Sequence, residues 1–242
     1  MLRYPVSDAR PRRRARGRPP SSRAQNWSRR RWAIGLRWLA NRLLIRPVLR
    51  LSLSITVRVA EELRGDARPP GPVVLVANHS SHLDAPLIMS WLPAGWRRVA
   101  VGAAADYFFT SRLRAGLTGL LFNTFPVARP GRGFDRAATD ACTLIDDGWD
   151  VLIFPEGTRS ADGSIGVFRT GAAVLCVHRD LFCVPIGLQG THEAMPRGRR
   201  WPRRGRLPVV VRFGAPLRAA PDESVTAFNQ RVKSAVRDLT HR

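Results

Sequence analysis

Seven short apolar runs, at residues 55–59, 73–77, 99–102, 125–128, 151–154, 183–188 and 209–213, constrain the fold of this chain more than any other feature. Most are apolar at consecutive positions, as strands buried on both faces of a sheet must be. Segments with helical spacing lie between several of them. Phe134, Ala137, Ala141, Leu144 and Ile145 form one stripe, and Gly148 follows as its stop. Val225, Phe228, Val232, Val236 and Leu239 form another, with Asp222 and Glu223 expected in its first turn, where the helix dipole favours acids. Strands alternating with helices imply the α/β class: a single domain with a mostly parallel central sheet covered by helices. A chain of 242 residues, 44% of them hydrophobic, suffices for one such domain with an appendage. Ligands of such sheets bind beyond the carboxyl ends of the strands, so the chemistry is sought in the residues that follow each run.

The first fifty residues are of another kind. Residues 1–31 carry eleven arginines and one aspartate among Pro, Ser and Gly, without apolar period, which reads as a disordered tail. From 32 to 51, Trp32, Leu36, Leu39 and Leu43 recur at helical spacing, and Leu44 and Val48 widen the stripe. Arg42, Arg46 and Arg50 fall on another side, and Pro47 is expected to bend or divide the helix. Two readings are open: an amphipathic helix lying in a membrane interface, or one docked on its own domain. The expected division is therefore a tail (1–31), an amphipathic membrane-associating helix or helix pair (32–51) and a folded domain (52–242). A spanning helix needs about 20 mainly apolar residues, and the arginines interrupt every candidate. Arg29-Arg30 before Trp32 has the outline of a twin-arginine export signal, but Arg37 and Arg42 break the apolar stretch it requires. A peripheral or monotopic protein on the cytoplasmic face of the cell membrane is the expectation.

The net charge of +22, from 40 basic and 18 acidic residues, implies an anionic partner, either an anionic lipid surface or nucleic acid. Cys142, Cys176 and Cys183 lie in apolar segments without paired metal-type spacing and read as free thiols of a reducing compartment.

Four blocks follow the strand-like runs. After 73–77 comes Asn78-His79-Ser80-Ser81-His82-Leu83-Asp84. A histidine at a strand end, five residues before an aspartate and at the expected start of a helix, suits a general base whose tautomer a carboxylate fixes. The plainer alternative is a cap, with Asp84 or Ser81 satisfying helix amides. His82 competes with His79 for the part and is read as structural. After 151–154 comes Pro155-Glu156-Gly157-Thr158-Arg159-Ser160, where Arg159 offers a fork of donors to phosphate and the amides of Gly157 and Thr158 suit an anion nest; an ordinary turn with Arg159 paired to Glu156 is the alternative. Arg129 ends the third block, Phe125-Pro126-Val127-Ala128-Arg129, and is read as an anion ligand or a solvated charge. Val184-Pro185-Ile186-Gly187-Leu188 is read as core strand or as a wall of an acyl site.

Together, over roughly residues 52–195, these blocks resemble the glycerolipid acyltransferases, the family of lysophosphatidate and glycerol-3-phosphate acyltransferases. Asn78 to Asp84 matches the family's His-x4-Asp motif, and Phe154 to Ser160 matches its third motif almost letter for letter. The resemblance implies the glycerol-3-phosphate acyltransferase-like fold and an O-acyltransferase. In it, His79, held by Asp84, deprotonates an acceptor hydroxyl that attacks an acyl thioester of coenzyme A or acyl carrier protein. It further implies that Arg159 and Arg129 hold the acceptor's phosphate, that Glu156, Gly157 and Thr158 shape the acceptor or oxyanion site, and that Arg169 is a further phosphate candidate. No cofactor or metal is implied. The first-choice acceptor is 1-acyl-glycerol-3-phosphate, giving phosphatidic acid, with other lysolipids, glycolipids and amino-acid lipids open. The chain departs from the commonest members at 103–109, around Arg129, and in the basic cluster Arg197, Arg199, Arg200, Arg203, Arg204 and Arg206, which reads as an insertion.

A nucleic-acid-binding protein, with Trp201 stacking on a base, would use the charge but leave the His79 and Glu156 blocks idle; no specific nucleic acid is expected. A serine hydrolase is disfavoured because no Gly-x-Ser-x-Gly elbow occurs.

Overall fold

A computed structural model describes residues 27–65, 67–104, 119–127 and 134–241. Its elements, in chain order, are α1 (Arg31–Ala40), a π-helical turn (Asn41–Ile45), α2 (Arg46–Ser52), β1 (Ser54–Val59), β2 (Val73–Ala77), α3 (Asp84–Ser90), β3 (Val99–Ala104) and β4 (Thr124–Val127). Then follow α4 (Phe134–Asp146), β5 (Asp150–Ile153), α5 (Gly171–Arg179), β6 (Phe182–Gln189), the short α6 (Thr191–Ala194), β7 (Pro208–Phe213) and α7 (Val225–His241). Every apolar run of the sequence is a strand, with ends displaced by a residue or two.

The seven strands form one sheet in the order β1-β7-β6-β2-β5-β3-β4. All neighbours are parallel except β6 and β7. The fold is thus the expected α/β domain with a mostly parallel sheet. β2 runs through its centre with all five residues buried. Strand alternation splits it between two cores. Val73, Leu75 and Ala77 join Leu49, Leu53, Leu87 and Ile88 on the side of α2 and α3. Val74 and Val76 join Leu144, Leu175, Phe228, Val232 and Val236 on the side of α4, α5 and α7.

Helix ends follow local chemistry. Gly148, at φ +76°, closes α4, and the amides of Gly148 and Trp149 donate to Ile145 and Leu144 carbonyls. The start of α7 corrects the sequence reading. Asp222 and Glu223 lie before its first turn, Ser224 Oγ accepts from the Ala227 amide as a cap, and Glu223 reaches forward to Arg231. A short hydroxyl competes for the cap position, which shifts the helix start past both acids.

The segment before β1 stays helical from Arg31 to Ser52 despite Pro47, which follows directly on the π-helical turn, where the Arg46 amide bonds to the Asn41 carbonyl. The residue sides are inverted relative to a docked amphipathic helix. Ala33, Arg37, Asn41 and Leu49 are buried, while Trp32, Leu36, Trp38, Leu39, Leu43, Leu44, Val48 and Leu51 are exposed. Arg37 is drawn inward because its guanidinium donates to the carbonyls of Ser28, Gly119 and Leu120. Asn41 accepts from Ser90 Oγ, tying the π-helical turn to α3. Among the described residues no helix is long and apolar enough to cross a membrane.

Candidate active site

β2 and β5 are adjacent and parallel, so the residues that follow them emerge side by side although some seventy-five positions apart. That adjacency makes one site of the first two motif blocks. His79 lies in the turn after β2, five residues ahead of the first residue of α3 rather than on the helix; Asp84 occupies that first position. The His79 Nδ1 and Asp84 Oδ2 atoms are 2.8 Å apart. The same carboxylate oxygen accepts the amides of Ser80 and Ser81, each at 2.8 Å. The two readings of Asp84 therefore hold together: it organises the turn and orients the ring. The side chain of Asp84 is fully buried and that of His79 is 21% exposed, so the ring has an open side. With Asp84 on Nδ1, the neutral ring carries its proton there and keeps Nε2 as an acceptor. The ring stacks on Phe154, centroids 4.2 Å apart.

Glu156 braces this turn. One oxygen accepts the His79 amide at 2.7 Å and the other the Gly166 amide at 3.0 Å. Burial pushes its carboxyl pKa up, against the pull of the two amides. Pro155 and Gly157 suit the second and fourth positions of the turn that leaves β5, and the Gly157 amide donates to the Phe154 carbonyl at 3.1 Å. That amide is spent in the turn, which removes one of the two donors expected for an anion nest. A Cβ at Gly157 would meet the guanidinium of Arg169 at 3.0 Å, so glycine here admits an arginine over the turn. Thr158 is exposed beside it. The Ser160 amide returns to the His79 carbonyl at 2.8 Å, closing the two blocks on each other.

Arg159 lines a pocket of about 370 Å³ together with His82, Met195, Gly198, Arg199 and Arg200. The His82 pKa is pushed down to about 4 by burial first, then by the charges of Arg159 and His79. Arg129 lies outside the described residues, two positions beyond β4. The block 184–188 is buried core strand within β6, and Asn78 clamps it, accepting from the Leu188 amide and donating to its carbonyl. Arg199 and Arg200, read from the sequence as part of an inserted basic cluster, line this pocket with Arg159, and nothing local in the sequence ties that distant arginine run to the Arg159 block. The link is tertiary. Ser80 Oγ and Thr191 Oγ1 are 2.9 Å apart, and Ser81 Oγ donates to the Met195 carbonyl at 2.7 Å. The three cysteines are free thiols, and no cluster of metal ligands occurs among the described residues.

A half-buried histidine paired with a buried carboxylate thus stands at the carboxyl edge of a mostly parallel sheet, in the same turn as His82 of the cationic pocket. Residues 54–189 match the family model described as Acyltransferase, and the chain belongs to that family. A 1-acyl-sn-glycerol-3-phosphate acyltransferase of Chlamydomonas reinhardtii is 31% identical over 170 residues, covering 69% of this chain and 49% of the alga's protein. The human 1-acyl-sn-glycerol-3-phosphate acyltransferase alpha is 28% identical over 207 residues, covering 84% and 71%. Among solved structures, the 1-acyl-sn-glycerophosphate acyltransferase PlsC of Thermotoga maritima shares the fold, with a TM-score of 0.60, 20% identity, and coverage of 91% of this chain and 96% of that one. The family resemblance and the fold class are borne out.

Proposed function

We propose that this protein is a 1-acylglycerol-3-phosphate O-acyltransferase that moves a fatty acyl group from acyl-CoA or acyl carrier protein to a lysophosphatidate hydroxyl. The observation that carries the reading is the 2.8 Å His79–Asp84 pair on the sheet edge, with His82 of the same turn lining the pocket of Arg159. His79 Nε2 takes the proton of the acceptor hydroxyl as its oxygen bonds to the thioester carbonyl carbon. The carbon–sulfur bond then breaks, and the imidazolium returns the proton to the departing thiolate. Asp84 holds the ring, as the carboxylate of a serine-protease triad does, while the substrate hydroxyl stands in for the serine. The relatives' names support 1-acylglycerol-3-phosphate as acceptor. Arg159, Arg169 and Arg129 supply guanidinium forks for its phosphate.

The outward apolar side of α1 and α2 supports residence on a membrane surface, with Trp32, Leu36, Leu39 and Leu43 in the lipid interface on the cytoplasmic face. The test is thiol release from acyl-CoA with and without lysophosphatidate, followed by product identification. Acceptor-dependent release with phosphatidate as product is expected. Release at the same rate without acceptor would make the protein a hydrolase, and binding to oligonucleotides but not to anionic liposomes would sink the membrane reading.

A further inference from the structure

The pocket beside the His79–Asp84 pair draws on two distant parts of the chain. Arg159 comes from the turn after β5, whereas Arg199 and Arg200 come from the loop joining α6 to β7. That loop, residues 196–206, holds six arginines and no acid. Its base is fixed to the site. The Arg203 amide donates to Ala194 O at 2.8 Å and the Arg199 amide to Pro196 O at 3.2 Å, and α6 is bonded through Thr191 and Met195 to the two serines that follow His79. Gly198, at φ +98°, makes the turn that carries both arginines to the pocket. Among the described residues neither Arg199 nor Arg200 is in an ion pair with a carboxylate. The pocket lining thus presents three guanidiniums and no acid, in a volume that suits a phosphorylated headgroup. His82 is neutral down to about pH 4 and adds a hydrogen-bonding group without charge.

We propose that Arg199 and Arg200 complete, with Arg159, a subsite for the acceptor's phosphate, and that this subsite selects a doubly charged phosphomonoester over a singly charged phosphodiester headgroup. The inference rests on the lysolipid acceptor argued above. A monoester dianion offers three terminal oxygens to converging guanidiniums, while a diester loses one of them and one charge to its substituent. The acceptor's phosphate is favoured over the phosphates of coenzyme A because the arginines share one pocket with residues flanking the base.

The test compares Arg199→Gln/Arg200→Gln with Arg204→Gln/Arg206→Gln, which removes equal charge from the same loop outside the pocket lining. With lysophosphatidate and acyl-CoA varied in turn, the first pair should raise the KM for lysophosphatidate by ~10-fold or more. It should leave the KM for acyl-CoA unchanged and shrink the preference for lysophosphatidate over lysophosphatidylglycerol by a similar factor. The second pair should change none of these beyond about twofold. A rise in the acyl-CoA KM would give the loop to the donor, and equal effects of the two pairs would reduce it to a diffuse field; either result overturns the subsite. Calorimetric binding of short-chain lysophosphatidate to the full chain reads the subsite without turnover. Binding that weakens in the first pair, with no acyl transfer in the wild type, would remove the proposed reaction and keep the subsite. Absent or unaltered binding would remove the subsite.

Discussion

Asp84 Oδ2 accepts three donors, and two of them are backbone amides of the turn that carries His79. Replacing His79 by Ala removes the proposed base and its stacking on Phe154 but leaves both amides on Asp84, so kcat should fall by about 10²–10⁴-fold while the urea midpoint falls less than in Asp84→Ala. Asp84→Ala should lower both, because two amides lose their acceptor in a fully buried position. The contrast between the two variants, read by activity and by urea unfolding, separates the chemical part from the turn. Glu156→Gln should cost about 1–3 kcal/mol of stability, since an amide side chain cannot accept on both ends from His79 and Gly166. His82 gives a pH signature. Its folded pKa, about 4, lies below the value of an unfolded histidine, near ~6.5. The unfolded chain therefore takes up a proton that the folded one refuses, and wild-type stability falls as pH drops from about 6.5 toward 4. Urea midpoints at pH 7 and pH 5 should differ less in His82→Gln than in wild type.

At the scale of elements, two packings decide where the site stands. α7 lies so close to β6 that a Cβ at Gly187 would meet the Leu239 side chain at 2.5 Å and its backbone at 2.7 Å. Gly187→Ala should destabilise by about 1–3 kcal/mol through this overpacking, measured by urea unfolding, since the helix backbone must retreat. Asn78 would feel that retreat through its clamp on Leu188 in the same strand. The other packing is that of α1 and α2. Arg37 bonds to the Gly119 and Leu120 carbonyls of the domain and to that of Ser28, and this leaves the Trp and Leu stripe facing outward. Leu39→Asp/Leu43→Asp should abolish flotation with liposomes while leaving the thermal midpoint within a few degrees, because neither side chain contributes to a core. A collapse of the thermal midpoint would instead show that the stripe is packed against the protein.

Across the whole molecule, the charge of +22 should make liposome binding depend on anionic lipid and weaken as salt rises, with each basic residue near the surface worth about 1 kcal/mol before screening. The residual binding at high salt would measure the apolar stripe alone. What the sequence by itself determined is local: seven strands, the stop at Gly148, the helical stretch from 32 to 51 and the two motif blocks. Each of these depends on periodicity or on residues a few positions apart, and such patterns survive in a linear string. The start of α7 differs from the sequence reading because Ser224 and the two acids compete over three positions, a contest settled by geometry. Only the tertiary structure decided that the apolar side of α1 points away from the domain, because the buried bonds of Arg37 reach carbonyls some eighty residues away. Likewise, the pair of His79 and Asp84 was legible as a spacing, but its meeting with Glu156 and Ser160 of the second block is set by the pairing of β2 with β5. The arrival of Arg199 and Arg200 at the same pocket depends on hydrogen bonds between α6 and the turn after β2. Strand order and loop anchoring arise from burial summed over the whole chain, and no short segment carries that sum.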